Sequence, residues 1–199
     1  MAIQKPQICV IHGGTVYESD AEYQQALRDL TLNYDRLLYA PSWKHWLAEQ
    51  LPDHDVLLPT MPNGINAKYD DWALFFSKVV AFLRPDAILI GHSLGGIFLA
   101  KYFSENPPAE PFRKLILIAA PYADEANESL GDFKLSSSKL LESAAREIHL
   151  MHSLDDPVVP IGELERYAAD LPDAIVHRYT NKHHFIDSDL PDLLEIIAS

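Results

Sequence analysis

The residues with the clearest chemical signature lie in one run at positions 87–100, which reads AILIGHSLGGIFLA. It has the form of an apolar strand, a tight turn flanked by Gly91 and Gly95, and an apolar helix, with Ser93 at the turn. A serine held in such a turn has a strained backbone, and flanking glycines let the neighbouring chain pass without a Cβ clash. The run predicts a nucleophilic serine. It does not predict a nucleotide site, because neither G-x-G-x-x-G nor Gly-Lys-Ser/Thr is present.

A serine hydroxyl becomes a useful nucleophile when a histidine can take its proton and a carboxylate holds that histidine in the correct tautomer. On a sheet of this kind the three residues follow the order serine, acid, histidine along the chain. The loop after the fifth predicted strand carries Asp155 and Asp156, and the loop after the sixth carries His183 and His184. The residues alone therefore predict the triad but leave two candidates for the acid and two for the base.

The negative oxygen formed in such a reaction needs two N–H donors. Leu94 supplies one, because it opens the helix after Ser93, where unpaired donors and the helix dipole favour an anion. The second comes in this fold from the loop after the first strand, which here reads His12-Gly13-Gly14. We expect the N–H groups of Gly14 and Leu94 to form the oxyanion hole.

Six apolar runs rich in β-branched residues predict the strands that would carry these loops. They cover residues 8–11, 55–58, 87–90, 114–118, 148–151 and 174–179. Apolar spacings of three and four predict helices at about 21–32, 43–51, 69–83, 95–104, 161–171 and 190–198. Regular alternation of strand and helix implies a mostly parallel sheet, and uniformly apolar strands imply helices on both faces. We predict one α/β domain over residues 1–199, a three-layer α/β/α sandwich.

Composition narrows the functions further. The formal net charge of −13 disfavours nucleic acids and anionic lipid surfaces as partners. No apolar stretch is long enough for a membrane span and no leader for secretion is apparent, so we expect a cytoplasmic protein without a membrane partner. No metal is expected, because the nine histidines form no HExxH motif, and His149 and His152 fall on opposite faces of a strand. No other cofactor is implied.

The segments 91–96, 155–160 and 183–185 resemble the nucleophile, acid and histidine motifs of the small serine hydrolases typified by retinoblastoma-binding protein 9. The resemblance extends over nearly the whole chain in length and element order. In that family the acid usually stands directly before Pro-x-x-Pro and the base directly before phenylalanine, which implies Asp156 and His184. Asp155 is then interpreted as a loop cap and His183 as a solvated neighbour. His183 also departs from the family, which usually has glycine at that place.

Many hydrolases of this fold insert a cap domain after the strand that here ends near Ala119. Only a short stretch separates Ala120 from Glu147, so we expect a minimal α/β-hydrolase fold without a full cap. The site should be shallow and bordered by substrate-binding residues, for which the candidates are Tyr17, Tyr122 and Phe133. The segment 63–69 also resembles one found in these hydrolases, and the sequence assigns it no chemical role.

Together these features predict a serine hydrolase, carboxylesterase-like, that cleaves a small-molecule acyl substrate through an acyl-enzyme. Amide, thioester and acyl-transfer chemistry stay open, because the walls of the pocket select the leaving group. A protein-interaction module on a hydrolase scaffold, with a partner of unknown kind, is the alternative from a different class, since a fold does not fix a function.

Overall fold

The computed structural model describes residues 4–123 and 129–199. Its centre is a six-stranded sheet with the order β2-β1-β3-β4-β5-β6, in which all five neighbouring pairs are parallel. The strands are β1 (Gln7–Ile11), β2 (Asp55–Leu57), β3 (Ile88–His92), β4 (Phe112–Ile118), β5 (Ala145–Ser153) and β6 (Ile175–Tyr179).

Two layers of helices cover the sheet, as the uniformly apolar strands predict. The helices are α1 (Asp20–Asp29), α2 (Trp43–Gln50), α3 (Tyr69–Val80), α4 (Leu94–Glu105), α5 (Ile161–Asp170) and α6 (Pro191–Ala198). Residues of α3, α4 and α5 share one buried cluster, and residues of α2 and α6 share the other. The predicted three-layer sandwich is confirmed.

The alternation of side chains along a strand produces these two cores. In β4, Leu115 and Leu117 face the cluster that contains α4, whereas Ile116 and Ile118 face the cluster that contains α6. The only cysteine, Cys9 in β1, is fully buried, and desolvation raises the pKa of its thiol to about 12. Each central strand is thus buried on both sides.

The strand order creates a crevice at the carboxyl edge of the sheet. From β1 the chain goes on to α2 on one face, and from β3 it enters α4 on the other. Because the two connections diverge, the loops after β1 and β3 leave a gap between them, where α/β proteins commonly bind ligands. Both loops carry residues singled out by the sequence.

The boundaries differ from prediction in ways that have physical causes. Strand β5 extends two residues beyond the predicted end at 151, because His152 and Ser153 continue the ladder to β6. Helix α1 ends at Asp29 and has no buried residue. Between β4 and β5, the described residues form only loops and two short 3₁₀ turns, Gly131–Phe133 and Lys139–Ser143. Among the helices of residues 4–123 and 129–199, none has the length and apolar character needed to cross a membrane.

Candidate active site

Ser93 stands on the sharp turn between β3 and α4, with φ of 55° and ψ of −125°. Few residues other than glycine adopt such angles, and they do so where the surroundings hold them. Here the N–H of Ser93 donates to the carbonyl of Ile118 at 2.9 Å, and its own carbonyl accepts from Gly96 at 2.8 Å. A side chain at Gly91 is excluded, since its Cβ would lie 2.6 Å from the Cα of Gly96. The turn is therefore fixed by close packing.

Three side chains from three different loops form one continuous chain of hydrogen bonds. Ser93 Oγ lies 2.9 Å from Nε2 of His184, and Nδ1 of the same imidazole lies 2.8 Å from Oδ2 of Asp156. The loops follow β3, β5 and β6, which are parallel and therefore end at the same edge of the sheet. The structure thus brings together the three predicted residues, in the geometry in which a serine can lose its proton to a histidine.

Asp156 is held as a carboxylate. Burial by itself raises its pKa, but the bond from His184 and the N–H groups of Val159 and Val158 lower it, and the result lies below the ordinary value of 3.8. Those N–H groups donate to Oδ1 at 3.0 and 2.8 Å, which leaves Oδ2 for the imidazole. A charge fixed in this way favours the tautomer of His184 that carries a proton on Nδ1.

The main chain around His184 is anchored by two residues that the sequence analysis did not assign. His92 donates from Nε2 to the carbonyl of His184 at 2.8 Å, and Trp43 donates from Nε1 to the carbonyl of Phe185 at 3.0 Å. Desolvation, Lys44 and His184 lower the pKa of His92 well below 6.5, so the buried ring is neutral and has one proton to donate. The one feature of the sequence that could have indicated a role for His92 is its position directly before Ser93.

The two residues of the predicted oxyanion hole lie around the same cavity as the nucleophile. Gly14, Ser93 and Leu94 line one cavity, and Leu94 is the first residue of α4. The backbone of Gly13 runs against the nucleophile, because a Cβ at this position would lie 3.1 Å from the Cβ of Ser93 and 3.5 Å from its Oγ. The loop after β1 can therefore present backbone N–H groups next to the serine oxygen.

His12 fixes the orientation of that loop. Its Nε2 accepts the N–H of Met61 at 2.8 Å, which makes Nδ1 the protonated nitrogen, and Nδ1 then donates to the carbonyl of Gly13 at 2.5 Å. In a trans peptide the C=O and the following N–H point in opposite directions. The bond to the Gly13 carbonyl therefore turns the N–H of Gly14 away from His12.

The segment 63–69 lies directly against this loop. Thr15 donates its N–H to the carbonyl of Gly64 at 2.9 Å and accepts the N–H of Ala67 at 2.9 Å. A Cβ at Gly14 would lie 2.6 Å from the carbonyl oxygen of Gly64, so the two segments touch main chain to main chain. The segment 63–69, to which the sequence assigns no role, thus supports the loop after β1 through main-chain hydrogen bonds.

The cavity beside Ser93 is small, about 10 Å³, which is room for about one water molecule. Its walls are mostly apolar, and the residues that line it are Gly14, Ser93, Leu94, Pro121, Ser129, Leu130, Val158 and Val159. No predicted substrate-binding aromatic residue is among them.

The three aromatic candidates lie elsewhere, which corrects the sequence-based expectation. Phe133 is buried against Trp72 with ring centroids 5.3 Å apart, and Tyr17 lies with it around a separate cavity of about 140 Å³. Tyr122 is buried too, and its hydroxyl donates to Oδ2 of Asp170 at 2.7 Å. Large rings bury most surface when they pack on other rings, and this preference draws them into the core.

The histidines considered as metal ligands contact other groups of the protein. His149 stacks on His177, with ring centroids 5.3 Å apart, whereas Nε2 of His152 donates to the carbonyl of Val159 at 2.8 Å. Within the described ranges no group of three or more His, Cys, Asp or Glu side chains is arranged to hold a metal ion.

Comparison with known proteins identifies the family. Residues 40–197 match the model of the family described as serine hydrolase. The chain belongs to the serine hydrolase family. The match includes the Ser93, Asp156 and His184 loops, and it begins after the loop that carries Gly14.

The relatives of this serine hydrolase agree with the resemblance seen in its motifs. It is 27% identical over 164 residues to serine hydrolase RBBP9 of Rattus norvegicus, covering 79% of this chain and 85% of that protein. It is 24% identical over 170 residues to YdeN of Bacillus subtilis, covering 79% of this chain and 87% of that protein. The predicted relation to small serine hydrolases of this group is confirmed.

Solved structures support the same fold. The ydeN gene product of B. subtilis superposes with a TM-score of 0.77 at 20% identity, covering 97% of both chains. A thioesterase domain from a curacin biosynthetic pathway gives a TM-score of 0.62 at 13% identity, covering 98% of this chain and 91% of that one. The serine hydrolase has the α/β-hydrolase fold in a minimal form.

Proposed function

We propose that this serine hydrolase cleaves small carboxylic esters or closely related acyl compounds, with Ser93 as nucleophile, His184 as general acid and base, and Asp156 as the group that orients His184. The observation that carries the proposal is the pair of distances on the imidazole, 2.9 Å to Ser93 Oγ and 2.8 Å to Asp156 Oδ2. A serine beside such a base is activated for acyl transfer.

The first step forms the bond between Ser93 Oγ and the carbonyl carbon of the ester. The hydroxyl proton moves to Nε2 of His184, the π electrons of the carbonyl move to its oxygen, and Asp156 stabilises the resulting imidazolium. The N–H groups of Leu94 and Gly14 then donate to the negative oxygen. One such donor is commonly worth about 10²- to 10³-fold in kcat.

The second step breaks the bond to the leaving alcohol. The oxygen electrons return to the carbonyl, the alcohol takes the proton from Nε2 of His184, and the acyl group stays on Ser93. A water molecule then gives a proton to His184 and attacks the acyl carbon. The tetrahedral intermediate collapses, Ser93 Oγ leaves with the proton from His184, and the carboxylic acid is released.

The surroundings of Ser93 support a compact, uncharged acyl group. The cavity at the serine is small and its walls include Leu94, Leu130, Val158 and Val159. The formal net charge of −13 further argues against a polyanionic substrate or nucleic-acid partner. We therefore propose a free small molecule as substrate, in keeping with a cytoplasmic enzyme.

The direct test uses p-nitrophenyl acetate and a fluorophosphonate probe on purified protein. The wild type should hydrolyse the ester and take up one probe molecule, and Ser93→Ala should do neither. Ser104→Ala is the matched control, because Ser104 lies near the far end of α4 and its hydroxyl donates to the carbonyl of Ala100 in the same helix. A folded wild type that neither cleaves the ester nor reacts with the probe would overturn the proposal and favour an interaction module.

A further inference from the structure

Two adjacent aspartates on the loop after β5 serve different partners. Asp156 binds the imidazole of His184, as described above. Asp155 binds His183, the residue that precedes His184. Oδ1 of Asp155 accepts the N–H of His183 at 3.0 Å and the hydroxyl of Ser153 at 2.5 Å, and Oδ2 lies 2.9 Å from Nδ1 of His183. The carboxylate of Asp155 therefore contacts both the main chain and the side chain of His183.

The main chain at His183 needs such support. Its φ is 46° and that of Phe185 is 53°, so residues with a Cβ on both sides of His184 occupy the left-handed region that favours glycine. Such conformations persist when surrounding contacts hold them. Any relaxation at position 183 would rotate the peptide that carries the imidazole facing Ser93.

The supports divide between the two halves of the loop. Asp155 and Ser153 hold its first half, since Ser153 Oγ also accepts the N–H of Lys182 at 3.0 Å. His92 and Trp43 hold the carbonyls of the second half. Ser153 is fully buried, so its hydroxyl is a fixed bridge between Asp155 and the loop.

We infer that Asp155 is a positioning residue for the reaction: it holds His183 in its left-handed conformation and so keeps Nε2 of His184 within reach of Ser93. The inference rests on the proposed function of Ser93 and His184. It assigns to the neighbour of the orienting carboxylate a separate part in the same site.

The bond from the His183 N–H carries more of this effect than the contact with the His183 side chain does. The His183 side chain is 67% exposed and that of Asp155 is 31% exposed, and exposed pairs contribute little. The pKa of Asp155 lies below 3.8, and the largest cause is the hydrogen bond from the Ser153 hydroxyl. Desolvation raises this pKa, and the bond from the His183 N–H lowers it further. Both bonds to Oδ1 need an acceptor oxygen, which the amide oxygen of an asparagine at position 155 also supplies, so that residue should replace much of the function.

Three variants separate positioning from simple stability. Asp155→Ala should lower kcat for p-nitrophenyl acetate by about 10- to 100-fold with little change in KM, because a small displacement of a catalytic group has effects of that size. Asp155→Asn keeps an oxygen that accepts the same bonds and should retain most of the activity. Asp155→Ala combined with His183→Gly should recover activity, because glycine adopts the positive φ without help.

A spectroscopic measurement follows the same geometry without substrate. The proton on Nδ1 of His184, in its bond to Asp156, should give a downfield proton signal in NMR. We expect Asp155→Ala to weaken this signal and the added His183→Gly to restore it. Asp173→Ala is the control, since Asp173 is exposed and precedes the start of β6, whereas the His184 loop follows the end of that strand. If Asp155→Ala does not fold, Ser153→Ala should show the same change in kcat and signal to a smaller degree.

The outcomes are distinct. Loss of thermal stability in Asp155→Ala with unchanged kcat and an unchanged His184 signal would overturn the inference, as would a failure of His183→Gly to recover either. A wild type that is inactive and unreactive with the fluorophosphonate would overturn the proposed function instead. In that case the NMR signal would still decide whether Asp155 positions His184.

Discussion

His92 and His184 are joined by a hydrogen bond from a side chain to a main chain, 2.8 Å long, between Nε2 of the former and the carbonyl oxygen of the latter. The centroids of their rings also lie 5.2 Å apart, and the ring of Trp43 packs nearly perpendicular to that of His92. The residue before the nucleophile thus holds the backbone of the base, so that one strand end fixes both partners of the proton transfer.

Replacing His92 tests this coupling. His92→Phe keeps a ring of similar size and removes the donor, which leaves the carbonyl of His184 without its bond. We expect kcat for p-nitrophenyl acetate to fall about ten-fold or more, and the free energy of unfolding to fall by about 1–3 kcal/mol. Steady-state kinetics and urea denaturation measure the two effects. Unchanged kcat would show that the bond does not position His184.

Asp156→Asn should have a far larger effect on catalysis than Asp155→Asn. An amide at position 156 can stabilise the wrong tautomer of His184 and cannot stabilise the imidazolium, and the equivalent change in serine proteases costs about 10⁴-fold in kcat. We expect a loss of at least about 10³-fold in the folded protein, measured by the rate of fluorophosphonate labelling and by ester hydrolysis. Equal effects of the two substitutions would mean that the roles of the aspartates are assigned incorrectly.

His12→Phe should weaken the oxyanion hole. The substitution removes both the acceptor for the Met61 N–H and the donor to the Gly13 carbonyl, so the Gly13–Gly14 peptide loses its fixed orientation. We expect kcat to fall by about 10- to 100-fold, within the loss caused by removing one oxyanion donor, while KM changes little. The exposed His45→Phe is a control that should behave as the wild type. A loss confined to KM would argue that the loop binds substrate only.

The stability of the protein should fall as the pH falls below about 6.5. Burial lowers the pKa of His92, His149 and His152 below the ordinary value of 6.5, so these rings stay neutral in the folded protein while the unfolded chain binds protons. The unfolded state is therefore favoured as pH drops through 6.5 toward each lowered pKa. Each ring contributes up to about 1.4 kcal/mol per pH unit.

Urea denaturation at pH 8, 7, 6 and 5 measures this dependence. The free energy of unfolding should be nearly constant from pH 8 to 7 and should then decline. The substitution His149→Gln should reduce the slope of this decline, because it removes one of the buried rings. A free energy that rises on acidification would contradict the neutral state of the buried rings.

The fold and the three central site residues could be predicted because their signals are local. A strand, a turn and a helix around Ser93 occupy consecutive positions, and the parallel sheet must bring the Asp156 and His184 loops to the same edge. The choice between adjacent candidates needed the resemblance to a family. In the structure, the member of the histidine pair that contacts Ser93 is His184, and the member of the aspartate pair that contacts the His184 imidazole is Asp156.

The supporting residues could not be predicted, because their partners are distant in the sequence. The bonds from Met61 to His12 and from Trp43 to Phe185 join positions 49 and 142 residues apart. For the aromatic candidates, the positions in the sequence indicated a place at the site that the packing of the side chains does not give them. Tyr122 and Phe133 follow a strand that ends at the site, but the hydroxyl of Tyr122 turns to Asp170 and the ring of Phe133 joins the core.

The burial of Cys9 makes this enzyme selective in its covalent chemistry. A thiol reacts as its thiolate, and with a pKa of about 12 in a solvent-free strand almost none of it is ionised at neutral pH. Since the chain has no other cysteine, iodoacetamide and maleimides should form no thioether with the native protein. An adduct with an acylating or phosphonylating agent can thus be traced to oxygen or nitrogen, and sudden thiol reactivity would report that the sheet has opened.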